Sequence, residues 1–497
     1  MSTMLSTVRN PWRIFGLLAA VQFVVVLDTS IVYIALPPIQ SELGFSPLGL
    51  AWVMDAYMLG FGGFLLLGGR IADLFGRRRM LLVGMVLFIL ASLACGLSEW
   101  AWMLVAARAA QGLTAAVISP AAMALVTEVF EEGPDRYKAL GMFGGIGGLA
   151  GALGVLFGGL LTTIAWQWAF LINVPVMLVV LAFVVRMVPT GRRLAGERMD
   201  LIGAVLGSGA LCGLLYGVVR GSSQGWGSTG TLVTFGIAVA ALGAFVARQL
   251  LASSPLVPRA LFRLRNVIAG NIANAATGAL MFGLFFVVTL YLQHARGFEP
   301  LIAAFGMMPI SVALFIGSQV TIRQFGRISP VTALAGGLGL QAIGLGWWAL
   351  TLGAGSNMIV SFVLPGIVFG FGVGAAIVGA FVTCTAGVHG ATQGAASGLV
   401  STTLQIGGAV GVALASTLAG QRTEARLAEG GIDPLAALAS GHAWAIGWSA
   451  LLAVAAIPVV LWLRASWRPP APAHHGPDHG HEAAGGAGGS EVAQATH

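Results

Sequence analysis

Long apolar runs, separated by brief breaks rich in arginine, glycine or proline, recur along almost the whole chain. Fourteen windows stand out, at residues 14–36, 50–70, 80–98, 102–126, 138–162, 166–186, 200–219, 230–250, 267–293, 301–322, 330–351, 357–380, 393–418 and 441–464. At ~1.5 Å per residue, each is long enough to cross a hydrocarbon layer of ~30 Å as an α-helix. The pattern predicts an all-α integral membrane protein of fourteen transmembrane helices. Several windows contain Gly or Pro, which membrane helices tolerate because neighbouring groups re-satisfy the backbone. From Pro469 onward the pattern is lost, and PPAPAHHGPDHGHEAAGGAGGSEVAQATH reads as a disordered tail.

Composition removes the soluble alternative. Of 497 residues, 57% are hydrophobic and only 9% charged, against roughly 25% charged in a soluble domain. Cys95, Cys212 and Cys384 all fall inside apolar windows, an odd number that argues against a disulfide framework and a metal site. Histidines scattered through a polar tail seldom build a specific metal site either. The first apolar run ends at Pro37-Pro38 without a small-residue cleavage site, so no cleavable signal peptide is expected.

Charge fixes the expected orientation. With both termini cytoplasmic, nearly all Lys and Arg fall on cytoplasmic segments, the densest being Arg70, Arg77, Arg78 and Arg79. The opposite side holds only Arg220, Arg296, Arg422 and Arg426, while Arg108 alone lies inside a span. This is the positive-inside bias of a plasma-membrane protein. It also accounts for the net charge of +7 without any nucleic-acid partner.

Glycines repeat at four-residue spacing inside the spans: Gly144, Gly147, Gly148, Gly151, Gly154 and Gly158 in the fifth, Gly366, Gly370 and Gly374 in the twelfth, Gly407 and Gly411 in the thirteenth. Small residues so placed let helix backbones approach closely in lipid. Static packing and helices that rock against one another both use such faces.

Local motifs then carry a resemblance. GGRIADLFGRRRM, between the second and third windows, resembles the signature loop of the major facilitator superfamily through Gly69, Ile71, Ala72, Asp73, Gly76, Arg77 and Arg78. Leu74 occupies a position where relatives often carry a base. LDTSIVYIALP (27–37) resembles the first-span motif of the fourteen-helix drug:proton antiporters, with Tyr33 at a usual Asn. LVAARAAQGLTAA (104–116) resembles the fourth-span motif whose Arg and Gln face the cavity, here Arg108 and Gln111. GALGVLFGG (151–159) matches the antiporter motif in part, keeping Gly154, Gly158 and Gly159 with Val155 at the proline position. WQWAFLINVP (166–175) resembles the sixth-span entry, and IRQFGR (322–327) is an eroded copy of the signature loop.

The resemblance implies the major facilitator fold: two six-helix bundles plus two inserted helices. The corresponding domains are 1–190, 191–260 for the inserted pair, 261–468, and the tail 469–497. It also implies that the signature loop latches the cytoplasmic ends of the halves and releases during transport. The segment 419–440 resembles an extended outer loop of the family.

Asp28 poses the chemical question. A charged side chain at mid-membrane costs roughly 2.5–3.5 kcal/mol or more and usually faces a cavity or a partner. Asp28, Asp55 and Arg108 sit at similar depth on three separate windows. If those helices line one cavity, the three form a coupled cluster. A carboxyl raised in pKa by burial and lowered by a nearby arginine can load a proton on one side and release it on the other. Competition between that proton and a bound cation is antiport, and the depth of Asp28 favours it as the main carrier. A permanent Asp–Arg pair that merely fixes packing would need the same residues.

In the ninth window Asn271, Asn274, Gly278, Phe282, Phe285 and Thr289 form a polar and aromatic stripe suited to a lipophilic ligand, or to ordinary interhelical packing. Gln22, Gln341 and Gln405 are buried amides that can meet substrate or a neighbouring helix. His294, His389 and His442 read as isolated positions at span ends. No nucleophile–base pair, metal cluster or phosphate loop suggests an enzyme or a cofactor. The expectation is a proton-coupled exporter of amphipathic drugs, dyes or natural products, functional as a monomer in a bacterial inner membrane. A selective exporter or importer of one metabolite, and a non-transporting receptor or scaffold, are the alternatives.

Overall fold

The structure is a computed structural model, and it describes residues 10–130, 134–188, 200–252, 261, 263–325, 327–352, 357–388, 392–429 and 433–466. The expected tail, His389 and both chain ends lie outside the described residues. The described chain is helical: α1 (Pro11–Leu43), α2 (Pro47–Phe75), α3 (Arg77–Gly96), α4 (Ala101–Val129), α5 (Pro134–Thr162), α6 (Trp168–Leu171), α7 (Asn173–Met187), α8 (Leu201–Gln224), α9 (Thr229–Leu251), α10 (Arg265–Leu290), α11 (Pro300–Gln324), α12 (Pro330–Thr351), α13 (Leu364–Thr385), α14 (Thr392–Ala428) and α15 (Pro434–Ser466). Short π-helical turns, Tyr291–Ala295 and Ile359–Val363, extend α10 and precede α13.

Helix ends follow local chemistry. Ser46, Ser228 and Ser329 cap α2, α9 and α12 by accepting from Gly49 N, Thr231 N and Thr332 N at 3.0, 3.3 and 3.1 Å. Pro11, Pro47, Pro300 and Pro330 occupy first-turn positions, where a missing N–H costs nothing. Gly44 ends α1 in the left-handed region at φ 68°. Between α6 and α7 the chain breaks at Ile172, because Pro175 has no N–H to donate to Leu171.

Eleven helices among the described residues are long and apolar enough to cross a membrane, or twelve if Gly49–Leu65 and Leu67–Phe75 form one bent span. The fourteen-window reading also counted Leu149–Thr162 and Ile202–Val218, which are apolar but shorter. One expectation needs correction. The segment 419–440 is not a long loop, because α14 continues to Ala428 and α15 begins at Pro434. Its sequence, QRTEARLAEG, is rich in good helix formers, which continue α14 past the end of the apolar window where the family resemblance implied a loop.

The packing repeats. α1 lies on α5 and α2 on α4, and the same relation recurs as α10 on α14 and α11 on α13. Glycine makes each approach possible. A Cβ on Gly154 or Gly158 would press on the backbone of α1 at Leu27 or Ile31. One on Gly407 or Gly411 would collide with the carbonyls of Ala275 or Ala279 on α10, and one on Gly370 or Gly374 with those of Ile310 or Leu314. α8 packs on α2 and α14, with Trp52 and Tyr216 rings 5.7 Å apart. Asp200 and Arg248 tie the ends of α8 and α9 at 2.9 Å.

The buried core is divided by depth. On the face that carries Arg77–Arg79, Ile14–Val25 of α1, Ala115–Val129 of α4 and Met177–Val184 of α7 belong to a cluster made only of residues from the first half. A small separate cluster, Leu261, Val267, Val388 and Ala396, lies in the second half. Further along the same helices, Leu27–Ile39, Leu104 and Ala107, and Trp166–Phe170 join a single core with Phe282–Leu292 and Ala303–Met307 of the second half. The halves therefore share a core on the face opposite the arginines, here called the far face.

Candidate functional site

Three helices meet at Asp28. Arg108 Nη1 donates to Asp28 Oδ2 at 2.7 Å, and both side chains are fully buried. Gln111 Nε2 and Asn173 Nδ2 donate to Oδ1 at 3.1 and 2.6 Å. Helical spacing puts Arg108 and Gln111 on one face of α4. Asn173 opens α7, so the break before Pro175 sets a polar helix start beside the carboxylate. Arg108 Nε also donates to the Val53 carbonyl at 3.0 Å. The guanidinium lies 4.4 Å from the Tyr57 ring centroid, within cation–π range. Gln111 is held by Ser92 and Cys95 of α3, at 2.8 and 3.2 Å. Asp28 thus has a donor on each oxygen and a balancing charge.

Asp55 is different. It is buried, yet neither carboxyl oxygen has a hydrogen-bond partner. The expected three-member cluster is a pair plus one separate carboxyl. Asp55 stands one turn from Met58, whose sulfur lies against Gly408 of α14, so helical spacing turns it toward the joint between the halves. There Tyr33 donates from its hydroxyl to the Phe282 carbonyl at 3.4 Å, and its ring lies 5.7 Å from that of Phe285.

The remaining expected residues separate into packing and interface roles. Asn271 and Asn274 bind α10 to α14: Asn274 Nδ2 donates to Val400 O at 2.7 Å and to Thr403 Oγ1 at 3.1 Å, and Thr403 donates to Asn271 Oδ1 at 2.9 Å. Gln22 Oε1 accepts from Ser119 at 2.6 Å, joining α1 to α4. Gln341 is buried on α12 with both amide atoms unpartnered, beside Gly372 of α13. Gln405 meets Gly62 across the halves. His294 and His442 are not isolated: His442 is buried, edge-on to Tyr291 at 6.3 Å and within electrostatic reach of His294.

The signature loop holds the first half to itself. Arg77 pairs with Asp73 at 2.9 Å and Glu128 at 2.7 Å, and Arg78 donates to the Val185 carbonyl at 2.7 Å. Gly76 turns the chain at φ 97°, while a Cβ on Gly69 would meet Pro120 at an ordinary 3.5 Å. The contacts of Asp73, Arg77 and Arg78 described here lie within the first half, beside the divided core on that face, whereas the resemblance implied a latch between the halves. Gly159, in contrast, faces Ala304 and Leu301 across the far-face seam.

Residues 18–412 match the family model of the Major Facilitator Superfamily. The chain belongs to this superfamily. It is 37% identical over 462 residues to the cephamycin export protein CmcT of Amycolatopsis lactamdurans, covering 92% of this chain and 93% of that protein. It is also 37% identical over 433 residues to the puromycin resistance protein pur8 of Streptomyces alboniger, covering 86% and 85%. Among solved structures, a bacterial homolog of the lysosomal transporter Spinster superposes with a TM-score of 0.61 at 15% identity, covering 93% and 99%. That likeness is one of fold, and it agrees with the repeated helix packing of this superfamily member.

Sequence reading missed Asn173. Its signal was a lone amide just before the proline of WQWAFLINVP.

Proposed function

We propose that this superfamily member is a proton-coupled exporter of amphipathic drugs or natural products, working by alternating access in a bacterial inner membrane with both termini cytoplasmic. The relatives named for export or resistance support the cargo class. The observation that carries the coupling is the contrast between two buried carboxyls on facing helices. Asp28 has to surrender three donors, one of them charged, before it can take a proton. Asp55 surrenders none. A carboxylate buried without donors costs several kcal/mol and avoids that cost by neutralising. Asp55 is therefore the group that holds the proton in this far-face-closed conformation and yields it when the seam opens to water. Asp28 is the fixed partner of Arg108, and the role expected for it by depth passes to Asp55.

In this reading the fourteen-crossing layout, with α8 and α9 as an inserted pair between two six-helix bundles, makes the alternating core. Protons are the only coupling partner required, no catalytic step is involved, and a monomer suffices. CmcT and pur8 each carry the name of a single compound, which favours a narrow cargo range as a second reading. Everted vesicles with an imposed pH gradient separate these readings. Several unrelated lipophilic compounds that dissipate the gradient only when the protein is present mark a broad exporter, and one compound class marks a narrow one. No dissipation by any compound that the protein demonstrably exports would overturn proton coupling.

A further inference from the structure

Two consecutive prolines, Pro37 and Pro38, lie inside α1. Proline has no N–H, so Pro38 leaves the Ile34 carbonyl without its helical donor four residues on. Ile34 is fully buried in the core shared by the two halves, where an orphaned carbonyl has no water to turn to. The missing donor comes from the other half. Gln293 Nε2 donates to the Ile34 carbonyl at 3.0 Å. Gln293 reaches it from the π-helical turn Tyr291–Ala295, where the widened helix re-aims side chains relative to the rest of α10.

We propose that Gln293 is a far-face latch whose bond to α1 exists because Pro38 vacates the position. When the far face is closed, Gln293 satisfies the carbonyl. When that face opens, water satisfies it instead. Losing the amide therefore penalises only the closed arrangement, and Gln293 sets the balance between the two. Tyr33, beside Ile34, strengthens the same seam through the Phe282 carbonyl and the Phe285 ring. This inference rests on the alternating-access reading but requires neither a proton nor a cargo. Its failure is thus distinguishable from failure of the coupling.

The test is a distance distribution across the far face of the full-length protein in nanodiscs, with no gradient and no substrate. Spin labels are placed at Glu99→Cys and Asp433→Cys, both exposed and on opposite halves, with the half-buried Cys212 changed to Ser. Gln293→Leu is expected to raise the open-to-closed ratio about 5–150-fold, the range that corresponds to one unsatisfied buried acceptor. Gln293→Asn, one methylene shorter, is expected to move it the same way. Pro38→Ala restores a backbone N–H for Ile34, so in that background Gln293→Leu is expected to produce no further shift. An unchanged distribution in Gln293→Leu and Gln293→Asn, or an equal shift with and without Pro38, would overturn the latch.

Discussion

Arg108 and Asp28 form an ion pair at 2.7 Å in which neither side chain reaches solvent. Removing one member of such a pair strands the other charge, at a cost of about 3–5 kcal/mol, whereas replacing both by apolar groups is often neutral. Arg108→Met is accordingly expected to lower the unfolding temperature sharply in detergent. The double variant Asp28→Leu with Arg108→Met is expected to recover most of that loss. Thermal unfolding of the purified variants checks both.

Asp55 makes no hydrogen bond that a substitution could break. Asp55→Asn should leave thermal stability within about 1 kcal/mol of the parent, because only an unpartnered carboxyl is exchanged for an amide of similar shape. A loss as large as that of Arg108→Met would mean that the carboxyl is held by a partner. Stability and transport are thereby predicted to part company at this residue.

The α10–α14 contact is predicted to be the least tolerant of added volume. A side chain at Gly407 points at the carbonyl of Ala275, a backbone atom that cannot rotate away. Gly407→Leu should cost about 1–3 kcal/mol or more. Gly420, which has open space around it, should accept the same change with little effect. Expression level and unfolding temperature in detergent compare the two.

Acid should loosen the α8–α9 hairpin. Burial works against ionisation of Asp200, but the Gly203 N–H and the Arg248 guanidinium outweigh it and hold this carboxyl below its ordinary range. A lowered carboxylate contributes stability that is present above its unfolded pKa and is lost as pH falls through the folded one. Protection of the α8 and α9 amides, corrected for the pH dependence of intrinsic exchange, is thus expected to be constant near neutrality and to fall below about pH 4. Asp200→Asn should remove that acid-dependent change.

Much of this was legible in the sequence. The apolar windows, the arginine asymmetry and the four-residue glycine spacing each follow from a local rule, and helices cover the expected windows, with α1, α14 and α15 running well beyond them. Arg108 and Gln111 were brought together by the resemblance of LVAARAAQGLTAA to a fourth-span motif, and the structure sets both against Asp28. What stayed hidden depends on which helices meet. Asn173 is an ordinary buried amide until α7 is known to start beside Asp28. The Asn271 and Asn274 stripe suited a cargo until Thr403 and Val400 of α14 claimed its donors. Asp28 and Asp55 sat at similar depth in the sequence, Asp28 the deeper, and only the tertiary arrangement gave one a full set of donors and the other none. In the sequence Pro37-Pro38 marked the end of the first window; only the structure carries α1 through them and brings Gln293, far along the chain, to the carbonyl that Pro38 leaves vacant.

The central claim is that the proton moves on Asp55 while Asp28 stays paired. Its most direct test is cargo-dependent proton flux in proteoliposomes, comparing the parent with Asp55→Asn at matched insertion, with cargo exchange measured in the absence of a gradient. The account predicts that Asp55→Asn still exchanges cargo across the membrane but no longer moves protons with it. Proton flux at the parent rate in Asp55→Asn would contradict it and return the role to Asp28.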